Sequence, residues 1–346
     1  MTVDPTPHLI VAFAACSPST WLQIKAPLEP KNLGKLVRGM TLIHSSPGEA
    51  ASLSPPHEKV LAGAWGLTSL PAEGRAEKGS ASLAGAVSPY PNRFPETKAG
   101  GASQDGLLPW AALEAKAAPQ QAWAFITLCH WAMGREHATL TDPAALDITP
   151  DESRTLLADM QPYFATEGIT LHHQNDQPCR WLAEGAVFKD LPTASLDRAM
   201  GRNVDPLLPN SKAIKLLQNE MQMLLYAHPI NDARASHRQR TINSFWLSGT
   251  GALSESAVAN PTVLVNRGLA QAAFTDDAAA FSAGWEQLDA TDIAQFLNWQ
   301  QSGQTVRISL CGEANSVTFE TAKPSFFSKI KNTFKLQSID YLLRQL

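Results

Sequence analysis

The run Leu9-Ile-Val-Ala-Phe-Ala-Ala-Cys16 holds eight residues with no charged and no strongly hydrogen-bonding side chain. A strand covered on one face alternates apolar and polar residues. A run that is apolar throughout reads as a strand covered on both faces, the position strands take inside a parallel sheet. It is too short to span a bilayer, which needs about 20 residues. No Lys or Arg precedes it, while Asp4 does, which argues against a positively charged leader peptide. The expectation is a first buried strand in a cytoplasmic protein. The cysteines, Cys16, Cys129, Cys179 and Cys311, lie far apart with no CxxC, as expected of reduced thiols.

The rest of the chain alternates short β-rich runs with helical ones. Trp123-Ala-Phe-Ile-Thr-Leu-Cys-His130 has strand composition. Thr149-Pro-Asp-Glu152 has the form of a capping box, with Pro150 at the first helical position. Residues 211–227 read as the longest helix, ended by Pro229. Thr305-Val-Arg-Ile-Ser-Leu310 and Ser316-Val-Thr-Phe-Glu-Thr321 alternate around a short loop and read as a C-terminal antiparallel hairpin. Two short helices are expected from Lys323 to Leu346. The fold class expected is α/β, with a mostly parallel central sheet flanked by helices, plus that hairpin. Residues 1–70 would form the N-terminal part of the core and 108–346 the main region. Between them, 71–107 is rich in Gly, Ser, Ala and Pro and reads as a flexible insertion with little to bury.

Composition excludes several classes. With 44% hydrophobic and 17% charged residues in 346, the chain is neither disordered nor fibrous. A net charge of −4 argues against a dedicated nucleic-acid binder. No HExxH, HxH, GxSxG, GxGxxG or P-loop lysine occurs, so no cofactor and no metal is expected. Gly249-Thr-Gly251 reads as a tight turn, and His130 and His137 as ordinary strand-end histidines.

The polar region Asp197 to Arg240 stands out, with seven cations against four acids. Arginines there offer bidentate forks to a phosphate or carboxylate. On a helical wheel Glu220 falls inside the apolar arc with Leu216, Leu217, Met223 and Leu224. It is expected to be buried and charge-paired, either fixing how the helix docks or forming part of a polar site. His228, Asn231 and Arg234 follow at the helix end.

Three segments carry a family resemblance: Leu191–Pro206, Leu217–Arg234, and Asn243-Ser-Phe-Trp-Leu-Ser-Gly-Thr-Gly251. They resemble RpfE-type bacterial regulatory proteins, relatives of cofactor-independent phosphoglycerate mutase in the alkaline phosphatase superfamily. The resemblance implies an alkaline-phosphatase-like fold. With the basic region, it points to Arg198, Arg202, Asn203, Asp205, Glu220, His228, Asn231, Arg234, Asn243 and Trp246 as an anion-binding set. The ligand would be small and phosphorylated or a carboxylate, with a regulatory protein as a further partner, and neither nucleic acid nor membrane. An active enzyme of that superfamily needs an acid straight after the first strand, an Asp-xxx-His element and an Asp-His pair. Here no acid lies between Asp4 and Glu29, and no Asp-His pair occurs. The expectation is therefore a non-catalytic, regulatory relative. The alternative is an active mutase or other phosphoryl-transfer enzyme with an unrecognised site.

Overall fold

The computed structural model describes residues 6–49, 51–67, 105–255, 259–322 and 338–346. The expected insertion falls almost wholly outside them, as does the first of the two expected C-terminal helices. The second is Ile339–Leu343.

Eleven strands are described: β1 (His8–Val11), β2 (Met40–Ser46), β3 (Ala122–Cys129), β4 (Trp131–Met133), β5 (Ala138–Leu140), β6 (Thr170–His172), β7 (Arg180–Glu184), β8 (Ser244–Ala252), β9 (Val263–Asn266), β10 (Arg307–Cys311) and β11 (Ser316–Thr321). Five form one sheet in the order β2-β11-β10-β1-β9, and four form a second in the order β6-β7-β3-β8. β4 and β5 pair as a hairpin.

The opening run behaves as its composition requires. β1 is buried at every position and lies between two parallel neighbours, with Leu9 opposite Leu264 on β9 and Ile308 on β10. The C-terminal hairpin is also present as β10 and β11. The expectation of a mostly parallel sheet is corrected. β11 pairs antiparallel with both β10 and β2, and the second sheet is antiparallel throughout.

β3 shows the reason. It too is buried at all positions, yet both of its neighbours run antiparallel. Its alternate residues enter two different cores. Ala124, Ile126 and Leu128 pack with the helices Pro150–Thr166 and Lys212–Tyr226. Trp123 and Phe125 pack with the helix Trp110–Glu114. An uninterrupted apolar run reports cover on both faces, and cover does not fix strand direction.

The capping box closes as expected: Thr149 Oγ1 accepts from the Glu152 N–H, and Glu152 accepts from the Thr149 N–H at 2.8 Å. Gly249-Thr-Gly251 is corrected from a turn to a bulged stretch inside β8, opposite the register shift between Trp123 and Phe125. Gly249 takes φ +63, and a Cβ there would lie 2.7 Å from the Phe125 ring, so only glycine fits.

Glu220 is corrected as well. The helix Lys212–Tyr226 buries Ile214, Leu217, Gln218, Met221 and Leu225 against β8 and the helix Pro150–Thr166. Leu216 and Met223 stand out in solvent at 50% and 77% exposure. Glu220 is half-buried and forms no ion pair among the described residues. The wheel arc was wider than the face that finds a partner, because this helix is covered on one side only.

Candidate functional site

The parallel strands β9 and β1 end on the same side, and a polar cluster sits just beyond those ends. Ligand crevices in α/β sheets lie at that edge. Arg267 directly follows β9. Phe13 follows β1 in a left-handed conformation, φ 56, which sets its ring against His57 (centroids 5.2 Å apart) and under the Arg267 guanidinium (5.7 Å). Positive φ at an aromatic residue costs energy and marks a position fixed by its surroundings. The helix Pro56–Ala64 lies over this sheet and carries His57 and Glu58 in its first turn. The short helix Leu196–Ala199, capped by Ser195, supplies Asp197.

Asp197 is the hub. Its side chain is 7% exposed and accepts from both terminal nitrogens of Arg267, with Nη2 to Oδ1 at 2.7 Å and Nη1 to Oδ2. His57 Nε2 lies 2.9 Å from Oδ2. A carboxylate only accepts, so Nε2 carries the proton that is donated. Burial alone would raise the Asp197 carboxyl, but the hydrogen bonds and charges of Arg267 and His57 hold it well below the usual range. The Asp197 hydrogen bond in turn pushes the Arg267 guanidinium up. Glu58 is tuned the other way. Burial pushes its carboxyl up, and the nearby His57 and the Ser195 hydrogen bond only partly oppose this. The Ser195 hydroxyl donates to Glu58 Oε1, and Trp110 Nε1 donates to Oε2 at 3.2 Å.

These groups line part of a cavity of about 880 Å³. Its walls come from the Pro56–Ala64 helix, from Trp110 and Leu113, and from the β3 and β8 residues Phe125 and Ser248. Trp65 and Trp110 meet edge to face, with centroids 5.8 Å apart. Also in the lining, Arg180 lies 4.1 Å over the Phe125 ring and pairs with Glu114 at 2.6 Å. An aromatic-walled cavity of this size with a few convergent polar groups suits a small organic molecule.

His57, Glu58 and Asp197 bring a ring nitrogen and carboxylate oxygens within 4.8 Å of one another. Those donor types could hold one divalent cation. They do not fit a two-metal phosphoryl-transfer centre, and Arg267 already covers both oxygens of Asp197.

The residues singled out from sequence lie elsewhere, and none of the ten lines the cavity. Arg198 is buried and donates to the Glu313 carbonyl at 2.7 Å, while Arg202 pairs with the Glu313 carboxylate at 2.5 Å. Asn203 accepts from the Asp205 N–H, and Asp205 is exposed. His228 caps the helix Pro229–Ser236 and lies 3.0 Å from Asp159. Asn231 donates to the carbonyls of Leu225 and Ile242 and accepts from the Ile242 N–H. Arg234, 1% exposed, donates to the Arg240 and Leu146 carbonyls and to Glu152. Asn243 bonds both backbone groups of Trp131, and Trp246 Nε1 donates to the Ala194 carbonyl. Glu220 stands on its helix as described above.

Sequence reasoning missed His57, Glu58 and Arg267, and counted Asp197 only as a charge. One signal was present. Two of the three family-like segments do reach the cavity, through Ser195 and Asp197 in the first and Ser248 and Gly249 in the third.

No protein-family model matches the chain, and no curated protein matches it. Among solved structures it is similar to a cofactor-independent phosphoglycerate mutase from Thermoplasma acidophilum DSM 1728, at 10% identity over 92% of this chain and 91% of that one, with a TM-score of 0.32. It is also similar to the PH0037 protein from Pyrococcus horikoshii, at 11% identity over 92% of this chain and 87% of that one, with a TM-score of 0.42. No helix among the described residues is long and apolar enough to cross a membrane.

Proposed function

We propose that this chain is a non-catalytic, phosphoglycerate-mutase-like regulatory protein that binds a small organic acid in the cavity bounded by His57, Trp110 and Arg267. One observation carries the reading: an aromatic-walled cavity is lined by a guanidinium that is fixed in place yet still half-exposed. The sequence supports the regulatory part, since the acid and the Asp-His pair of a metal-dependent mutase are missing. A small carboxylate suits the walls better than a phosphate, because Arg180 and Arg267 are each already paired with an acid and the remaining surface is largely apolar.

A second reading, an active phosphoryl-transfer enzyme, draws on the Ser195 hydroxyl. It donates to Glu58, the arrangement of a nucleophile with its base. Thermal-shift and calorimetric titration with benzoate, 1-naphthoate, phenyl phosphate and 3-phosphoglycerate separates the two, with turnover of 3-phosphoglycerate followed in parallel. Binding of a carboxylate without turnover is the expected result. Turnover that is lost in Ser195→Ala would overturn it in favour of the enzyme.

A further inference from the structure

We propose that Arg267 is a built-in cation occupying a three-ligand metal position, and that the cavity reads an organic anion through this guanidinium rather than through a metal ion. The proposal rests on the cavity reading above and names the group that does the recognising.

His57, Glu58 and Asp197 are spaced for one divalent ion. An ion there needs Asp197, because metal–oxygen bonds form at about 2.0–2.2 Å from the carboxylate oxygen. Both of those oxygens accept from Arg267, and Nη1 also lies 3.4 Å from His57 Nε2. A cation entering between His57 and Asp197 would meet the guanidinium at contact distance, where like charges repel strongly. The arginine therefore supplies the positive charge these ligands would otherwise collect from solution.

The guanidinium also has a free side. It carries five N–H donors, and the Asp197 fork engages two of them. The Arg267 side chain is 46% exposed and lines the cavity, whereas those of His57 and Asp197 are 4% and 7% exposed. Phe13 beneath it and Asp197 beside it hold the head group still, so its remaining donors are aimed before a ligand arrives. The ligand class that fits is an oxyanion on a flat apolar body, with the body against Trp65, Trp110 and Phe125.

The test uses Co²⁺, 1-naphthoate and phenyl phosphate as probes on the full chain, comparing wild type with Arg267→Met and Arg267→Lys. Thermal melts establish that each variant is folded. Wild type is expected to show no stoichiometric Co²⁺ absorption in the visible. Arg267→Met should gain one Co²⁺ per chain, and lose it again when His57→Gln is added. Arg267→Lys keeps a positive charge and should take up none, which keeps the test decisive if the Met variant does not fold. Affinity for 1-naphthoate should fall about tenfold or more in Arg267→Met, the loss expected for a charge-assisted hydrogen bond. Phenyl phosphate binding more tightly than 1-naphthoate would assign the anion as a phosphate on the same guanidinium. Stoichiometric Co²⁺ in the wild type, Co²⁺ uptake by Arg267→Lys, or a folded Arg267→Met that takes up none would each overturn the built-in cation. Equal 1-naphthoate affinity in wild type and Arg267→Met would overturn its role as anchor. Failure of every anion to bind the wild type would instead remove the cavity reading, and the cobalt result would stand apart from it.

Discussion

Two arginine clusters in this molecule, each paired with an acid, use the same chemistry to different ends. Around Arg234, the guanidinium is closed in on every side, by the carbonyls of Leu146 and Arg240 and by Glu152, the glutamate that also closes the capping box of the Pro150–Thr166 helix. Around Arg267, the guanidinium grips Asp197 with one edge and leaves the other toward a cavity. The first cluster joins the end of one helix to the start of another, and at 1% exposure its guanidinium reaches no ligand. The second is assembled beyond the ends of two parallel strands and keeps unused donors where a small molecule could sit. An acid-paired arginine is thus a structural tie or a candidate receptor according to whether its unused donors face a cavity.

The largest expected effect tests the closed cluster. Arg234→Ala strands Glu152 and leaves two carbonyls without a donor, so chemical denaturation should show a loss of about 3–5 kcal/mol. The affinity of the folded variant for cavity ligands should stay unchanged. A loss below about 1 kcal/mol would show that this network is not the tie described.

The open cluster should respond less in size and more in pH dependence. Asp197→Asn is expected to cost about 1–3 kcal/mol at neutral pH, because Arg267 is half-exposed and can rehydrate. The Asp197 carboxyl lies below its ordinary value in the folded state. Its contribution is therefore complete above the unfolded pKa, about 3.9, and is lost as pH falls through the folded value. The gap between wild type and Asp197→Asn should accordingly narrow below about pH 4. Glu58 has the opposite sign. Its folded pKa is raised, so stability is highest below about pH 4.3 and declines as pH rises toward the folded value. Glu58→Gln should therefore gain on wild type as pH rises above about 4.3. Denaturation midpoints taken on both sides of about pH 4 decide both, and parallel pH profiles for the two variants would contradict the opposed tuning of the site.

The smallest effect belongs to Glu220. A half-buried side chain with no ion pair should change stability by no more than about 0.5 kcal/mol when replaced by Ala. A loss of several kcal/mol would restore the buried pair that its wheel position suggests.

Much of the local structure was legible in the chain. The capping box at Thr149, the C-terminal hairpin and the interior place of β1 between two strands all follow from short-range rules about caps, turns and apolar runs. The candidate site was not. His57 and Asp197 are 140 residues apart, and Arg267 is 70 beyond Asp197. No spacing rule links them, because their proximity is created by where strands end. The residues that sequence did favour were clustered within one stretch, and the fold uses many of them for short-range bonds to nearby backbone, as Asn231 and Arg234 show. The sequence by itself determined several of the strands and helices and where some helices would start, since those choices depend on neighbouring residues. Only the tertiary structure decided strand direction, the covered face of the Lys212–Tyr226 helix and the meeting of His57, Asp197 and Arg267. Each of these depends on what packs against a segment, which its own residues do not specify.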